Sequence, residues 1–454
     1  VKSTVQRWSD SKIVRIFKYS DFRYYWIGAF VSFSGSWIQR IAEGYFVFQL
    51  TNDESKLAFV SFCSSIPVFF LGFVAGSLTD VVDRRKLLII SQLLYAAGAI
   101  YLAIATWRGF VTYYQIVFVA LLLGFVASFE MPARQSIVSR VVTKQDLATA
   151  IPLTAMTFNA ARIVGPAIGT WILTIFGVAM CYFLNGVSFL ALIWVVIMIK
   201  ADLSPLRQGK EPIKDLLFEG VIYTFRDVRL RTLFLLETLT GFAGLFYLGL
   251  LPAITGETLG LDKLGPTASK AGLGIATTSI GIGAIIGLIF VTAKSESPHR
   301  DKIIKFSITL LGVSLVALSF VRSAIVAYPL FSLVGAAAIM QFNTTNALFQ
   351  ILAPEKRRGR VLAMHIWTLN GLSPFGVLLF GWIAKQSHAW PKTTFNDFGP
   401  WRMPTNVQGP SISLLIGGCL VLIGAVWAWS SKRGLSNLTP DLDPNWSGEP
   451  NIEK

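Results

Sequence analysis

Six charged side chains stand well away from the ends of long apolar stretches of this chain: Arg40, Glu43, Glu130, Arg134, Arg162 and Glu237. An ionised group in an apolar medium costs a few kcal/mol unless it is paired or hydrated, so type and spacing limit what each can do. Glu130 and Arg134 stand four apart with the acid first, the order that suits an ion pair along one helix. Arg40 and Glu43 stand three apart; they can neutralise each other or exchange a proton with a water-filled cavity. Glu237 has no cation at helical spacing. A carboxyl group buried without a partner loads a proton near neutral pH and releases it to a more alkaline side, which makes Glu237 a candidate proton carrier. Its alternatives are a structural partnership with Arg162 or another cation, or a solvent-exposed position. Arg162 keeps its charge when buried and can hold a carboxylate through two parallel hydrogen bonds. It is therefore a candidate for an anionic group of a bound molecule, or else a partner of an acid on the span around residue 130.

The elements that carry these residues are apolar segments near 22–50, 56–79, 87–107, 113–139, 151–176, 178–199, 231–256, 271–293, 303–322, 325–352, 362–386 and 410–430. Each meets the requirement of about 20 mostly apolar residues for a helix that spans a bilayer. With 53% hydrophobic and 14% charged residues among 454, little is left for a soluble domain. The expected fold class is all-α, a membrane protein of twelve spans. Cations cluster in the first segment (Lys2, Arg7, Lys12, Arg15, Lys18) and in alternate loops, at Arg84 to Lys86, Lys200 to Lys214, Arg300 to Lys305 and Lys356 to Arg360. The intervening loops hold single cations such as Lys56, Arg108, Lys263 and Arg322. Basic loops are retained in the cytoplasm, so both termini are expected there. The net charge of +15 follows from that asymmetry and from contact with anionic lipid headgroups; no nucleic-acid partner is needed. Cys63, Cys181 and Cys419 all lie in apolar stretches and make no disulfide framework. The first span is expected to serve as its own insertion signal.

An offset of about 211 residues sets Gly76 on Gly287, Asn159 on Asn370 and Gly165 on Gly376. Two pseudo-symmetric six-helix bundles are implied, 21–199 and 231–431, between a cytoplasmic segment 1–20, a linker 200–230 and a polar tail 432–454. Within the linker, Ile213, Leu216, Leu217 and Val221 share one helical face, the pattern of an amphipathic helix lying on the membrane surface. Repeated halves place a substrate pathway between them near the bilayer midplane.

Gly76, Asp80, Arg84, Arg85 and Lys86, in the stretch GSLTDVVDRRK, resemble the loop between the second and third helices that marks the major facilitator superfamily. Asn159 to Gly169, NAARIVGPAIG, resembles that superfamily's antiporter motif in its fifth helix. FRYYWIGAFVSFSGSWIQRIA, MPARQSIVSRVV and RGRVLAMHIWTLNGLSPFG resemble the branch holding the enterobactin exporter and several macrolide efflux pumps. The resemblance covers residues 20 to 430. Val81 stands where a basic residue is usual and Asp83 where Gly is common. The equivalent stretch of the second half has Val291 in place of the motif acid and no Arg pair, so a charged latch is expected to be strongest in the first half. The resemblance implies that Asp80 pairs with a cation or caps a helix to hold one state of an alternating-access cycle. A purely topological role for Arg84, Arg85 and Lys86 is the alternative. It also implies that Gly165, Pro166 and Gly169 seal the pathway through close helix packing, with packing alone as the alternative. The first, fourth and seventh helices line the cavity in this superfamily. Glu130 and Arg134 fall toward the cytoplasmic end of the fourth helix, where they are expected to join Asp80 and Arg84 in one network with a structural or gating role; a substrate role is the alternative.

Trp37, Phe242, Phe246 and Trp367 are candidates to stack on an amphipathic substrate, with Asn370 beside them; interface anchoring or packing is the alternative for each aromatic. The loop from His388 to Gly409 is long, and rich in Pro and aromatics. Enzyme chemistry finds no support: His299, His365 and His388 have no metal-ligand spacing, and GxxxxGK[ST] does not occur. The driving force is then an ion or substrate gradient, with no cofactor and no metal. The expected activity is export of a siderophore or drug-like compound by proton antiport, from a monomer in a bacterial inner membrane, with substrate, protons and lipids as partners. The alternatives are a lysophospholipid flippase, and a sensor or assembly partner that does not transport.

Overall fold

The computed structural model describes residues 12–79, 82–143, 146–204, 213–294, 299–353, 358–368, 372–389 and 407–430. Among the described residues the regular elements are helical throughout. After a short helical turn, Lys12–Phe17, come α1 (Ser20–Thr51), α2 (Glu54–Thr79), α3 (Arg84–Trp107), α4 (Tyr113–Val141), α5 (Leu147–Ile175) and α6 (Gly177–Met198). A linker helix, Ile213–Arg226, precedes α7 (Val228–Gly244), which continues as Tyr247–Ala253 and a π-helical turn, Ile254–Thr258. The chain ends with α8 (Pro266–Ala293), α9 (Arg300–Phe320), α10 (Ala324–Leu352), α11 (Arg358–Trp367), α12 (Ser373–Ser387) and α13 (Pro410–Ser430).

Local chemistry sets the helix starts. Asp83 accepts from the backbone N–H groups of Arg85 and Lys86 and caps α3. Thr112 and Gln115 form a reciprocal capping box on α4. Asp227 accepts from the N–H groups of Arg229 and Leu230 at the head of α7. Between α5 and α6 the chain turns at Gly177, whose φ of 81° suits a residue without a Cβ.

Nine helices among the described residues are long and apolar enough to cross a membrane. The α1, α5 and α11/α12 segments fall outside that set, so the described residues carry nine such helices against the twelve expected. α1 carries Asp21, Arg23, Arg40 and Glu43. Of the single stretch expected over 362–386 the described residues carry α11 and α12, and residues 369–371 between them lie outside the description. Pro374 stands in the first turn of α12, where its missing N–H removes no helical hydrogen bond.

The chain divides into two compact units. One comprises Val1–Glu43 and Leu71–Glu211, the other Gly44–Phe70 and Pro212–Lys454. In the first, α3 packs along α6, and Phe22, Tyr25, Leu88, Ile137, Leu192 and Val195 form a buried core. In the second, α8 packs along α10 through glycines. A Cβ on Gly283, Gly287 or Gly335 would meet the backbone oxygen of Ser332, Ala336 or Ile280 at 1.8–2.5 Å, the close approach that small residues permit between membrane helices. Phe118, Trp194, Ile325 and Val426 are largely exposed, as hydrocarbon-facing side chains are.

Candidate functional site

In the first unit Glu130 and Arg134 form the expected ion pair along α4. Gln92 of α3 donates to Glu130 Oε1 at 3.3 Å, and Tyr25 of α1 donates its hydroxyl to the Arg134 carbonyl at 3.1 Å. The Arg134 guanidinium lies 4.5 Å from the Phe33 ring centre. Both charges are therefore partnered across three helices, as buried charges must be to avoid an uncompensated desolvation cost.

The basic hairpin has separated roles. Arg84 is fully buried and its N–H donates to Leu203 O at 3.3 Å. Arg85 spans the end of α6, donating to the carbonyls of Val196, Ile197, Ile199 and Ala201 at 2.6–3.2 Å. A helix C-terminus presents unpaired carbonyls and partial negative charge, which this guanidinium neutralises. Lys86 is exposed. Gly76 stands in the last turns of α2, and Asp80 lies outside the described residues.

Along α1, Arg40 and Glu43 make no ion pair. Gln39 takes that place, donating to Glu43 at 3.2 Å while accepting from Asn185 of α6 at 2.7 Å. Arg40 lies 5.0 Å from the ring centre of Trp37. Residues three apart are turned about 60° from one another on a helix. The amide at position 39, four before Glu43, is better aligned.

On α5, Arg162 donates to Asn159 Oδ1 at 2.9 Å. Gly165 and Gly169 face α1: a Cβ would lie 2.5 Å from Trp37 Cβ in one case and 3.0 Å from Ile38 Cα in the other. Pro166 is buried beside them. At the expected offset, a Cβ on Gly376 of α12 would meet the Phe242 backbone oxygen of α7 at 1.9 Å, so both glycines of the repeat bring their helix against the opening helix of their own half.

The second unit places Glu237 against a partner that helical spacing does not show. Its carboxylate is fully buried and meets the equally buried imidazole of His365 on α11, with Nδ1 2.8 Å from Oε1 and 2.9 Å from Oε2. Sequence spacing could not reveal the pair, because 128 positions separate its members. The available signal was a histidine inside an apolar stretch. Thr240 and Gln341 lie next to it, Gln341 donating to the Thr240 hydroxyl at 2.6 Å, and the Phe349 ring stands 5.9 Å from the imidazole. Trp367, two residues on from His365, lies parallel to Phe234 at 6.4 Å and 5.0 Å from Phe69. Phe246 is fully buried and stacked on Phe380 at 4.1 Å, a core packing position. Phe242 lies 6.2 Å from the same ring. Asn370 lies outside the described residues.

A family profile described as "Transmembrane secretion effector" matches residues 15–394. The Staphyloferrin A transporter of Staphylococcus aureus (strain NCTC 8325 / PS 47) is 26% identical over 365 residues, 79% of this chain and 88% of the relative. The Multidrug efflux pump Tap of Mycolicibacterium fortuitum is 23% identical over 362 residues, 78% and 87% of the two chains. Among solved structures, a mutant form of the nucleoside transporter NupG superposes with a TM-score of 0.72 at 12% identity, covering 90% of this chain and 99% of that one. That likeness is one of fold.

Proposed function

Because the chain belongs to the transmembrane secretion effectors, a family of major facilitator transporters, we propose that it exports an amphipathic organic molecule, a siderophore or drug-like compound, by alternating access coupled to proton antiport. Its setting is a bacterial inner membrane with both termini in the cytoplasm. Twelve spans in two pseudo-symmetric bundles carry the substrate outward, and the protein works as a monomer among lipids. The relatives' names, a Staphyloferrin A transporter and a multidrug pump, support the substrate class.

The observation that carries the coupling is the buried Glu237–His365 contact. Replacing such a pair by apolar side chains is often neutral or stabilising, and ionisable groups at bilayer depth mark ion or substrate pathways by default. A carboxylate and an imidazole in direct contact can take up and pass on a proton, and substrate binding need only favour one protonation state of the pair. Trp367 and Phe234, stacked on one another, supply an aromatic surface for the apolar part of the substrate. Arg162 remains the candidate for an anionic group.

Inverted vesicles with an imposed pH gradient test this. Addition of candidate siderophores, macrolides or lysolipids collapses the gradient in the wild type, and Glu237→Gln and His365→Gln reduce that proton flux at least tenfold while leaving substrate counterflow. Substrate uptake without proton movement in the wild type would move the assignment to a uniporter or a flippase.

A further inference from the structure

At the end of the second unit remote from the linker helix lie chemically competent side chains that the coupling pair does not use. Glu257 is about 30 residues along from the head of α7, roughly 45 Å by helix rise. There the turn between α1 and α2, with Asn52 at φ 44°, places Asp53 and Glu54. Asp53 accepts from the N–H groups of Ser55 and Lys56 and pairs with Lys385 at 2.6 Å. Glu54 turns inward, its side chain only 3% exposed. His388 Nε2 lies 2.7 Å from Glu54 Oε1 and 3.4 Å from Glu257 Oε2.

We propose that Glu54, Glu257 and His388 form a binding site for one divalent transition-type cation, with Zn²⁺ the ion that fits. Their three ligand atoms lie within 4.8 Å of one another. One imidazole with two carboxylates is a donor set that suits zinc and discriminates against magnesium. Bonds of about 2.0–2.1 Å in a tetrahedral shell put neighbouring ligand atoms about 3.3–3.4 Å apart. The His388–Glu257 separation of 3.4 Å already has that value, and the His388–Glu54 contact needs to open by less than 1 Å. Charge argues the same way. Two carboxylates converge on one imidazole, and the adjacent cation, Lys385, is already engaged by Asp53. Access is graded, since the side chains of Glu54, Glu257 and His388 are 3%, 27% and 48% exposed. A cation can enter from the His388 side and keep a water as its fourth ligand.

The backbone around the group is built for it. Gly409 has φ 60°, and a Cβ there would stand 2.9 Å from both Glu257 Oε2 and His388 Cε1. Its N–H donates to Ser387 Oγ at 2.7 Å, fixing the turn that carries His388. Outer contacts of this kind orient metal ligands. A bound cation would tie together the start of α2, the end of the α7 segment and the turn after α12.

The test is zinc titration by calorimetry on tag-free protein in detergent, in a Cys419→Ser background that removes the exposed thiol. One Zn²⁺ per chain is expected, with Mg²⁺ failing to compete. The dissociation constant should rise at least tenfold in His388→Ala or Glu257→Gln. Absence of saturable binding, or binding unchanged in both variants, overturns the proposal. X-ray absorption on the zinc-loaded parent reads the site without a variant: one imidazole among oxygen ligands is expected, and sulfur in the shell overturns it.

Discussion

Asp146, just ahead of α5, shows how one carboxylate organises a helix junction. It accepts hydrogen bonds from Arg15, from the Tyr19 hydroxyl at 2.8 Å and from Thr143 at 3.0 Å. The Arg15 hydrogen bond, followed by that of Tyr19, holds its carboxyl below the usual aspartate range. A carboxyl group that is more acidic when folded stabilises the fold above its ordinary value, about 3.9, and loses that contribution as the pH falls from there through the folded value. Asp146→Asn should therefore unfold at a lower temperature than the wild type at pH 7, and the gap should close as the pH falls below about 4. Thermal unfolding in detergent across pH 3–7 checks it; a gap that persists in acid would show that the ionised contacts are not responsible. Arg85 works in the opposite sense, as a cation on α6's carbonyl end. Asp83, whose place in the motif usually belongs to Gly, serves as the cap of α3. At this scale the sequence was legible where partners were neighbours along one helix, as with Glu130 and Arg134. It was silent for Glu237, and of the two readings it allowed for Arg40 and Glu43 the mutual ion pair does not form, because side-chain direction as well as spacing decides which groups meet.

Helices of this chain approach one another through glycines, and the repeat uses the same device twice. Gly165 presses α5 on α1, and Gly376 presses α12 on α7. With the Phe242 oxygen 1.9 Å from where a Cβ would stand, Gly376→Ala must push α12 off α7. Overpacking of this kind costs about 1–3 kcal/mol. The expected outcome is a lower unfolding temperature with the chain still inserted, read by thermal denaturation; an unchanged temperature would mean that α12 shifts freely. The offset that aligned these glycines was visible in the sequence.

Across the whole molecule, the apolar runs and basic loops lead to an expected path of the chain through the membrane. Single cysteines placed at Lys86 or Lys302 in a cysteine-free background should react with an impermeant maleimide only in inverted vesicles. Those at Arg108 or Lys263 should react in intact cells; labelling of all four from one side would overturn the topology. Such features are one-dimensional. Hydrophobic length, the position of Lys and Arg, the 211-residue repeat and the superfamily motifs all lie along the chain, and they were sufficient to determine an all-helical multi-pass transporter. What depends on groups far apart in sequence was decided only in three dimensions. His365 was placed against Glu237, Asn185 against Gln39, and Glu54, Glu257 and His388 were gathered from a helix start, a helix end and a turn. The reason is that burial inside a helical bundle is specified by packing. A polar side chain there takes as its partner whatever the packed neighbours bring within about 3 Å, and local sequence does not encode that neighbour.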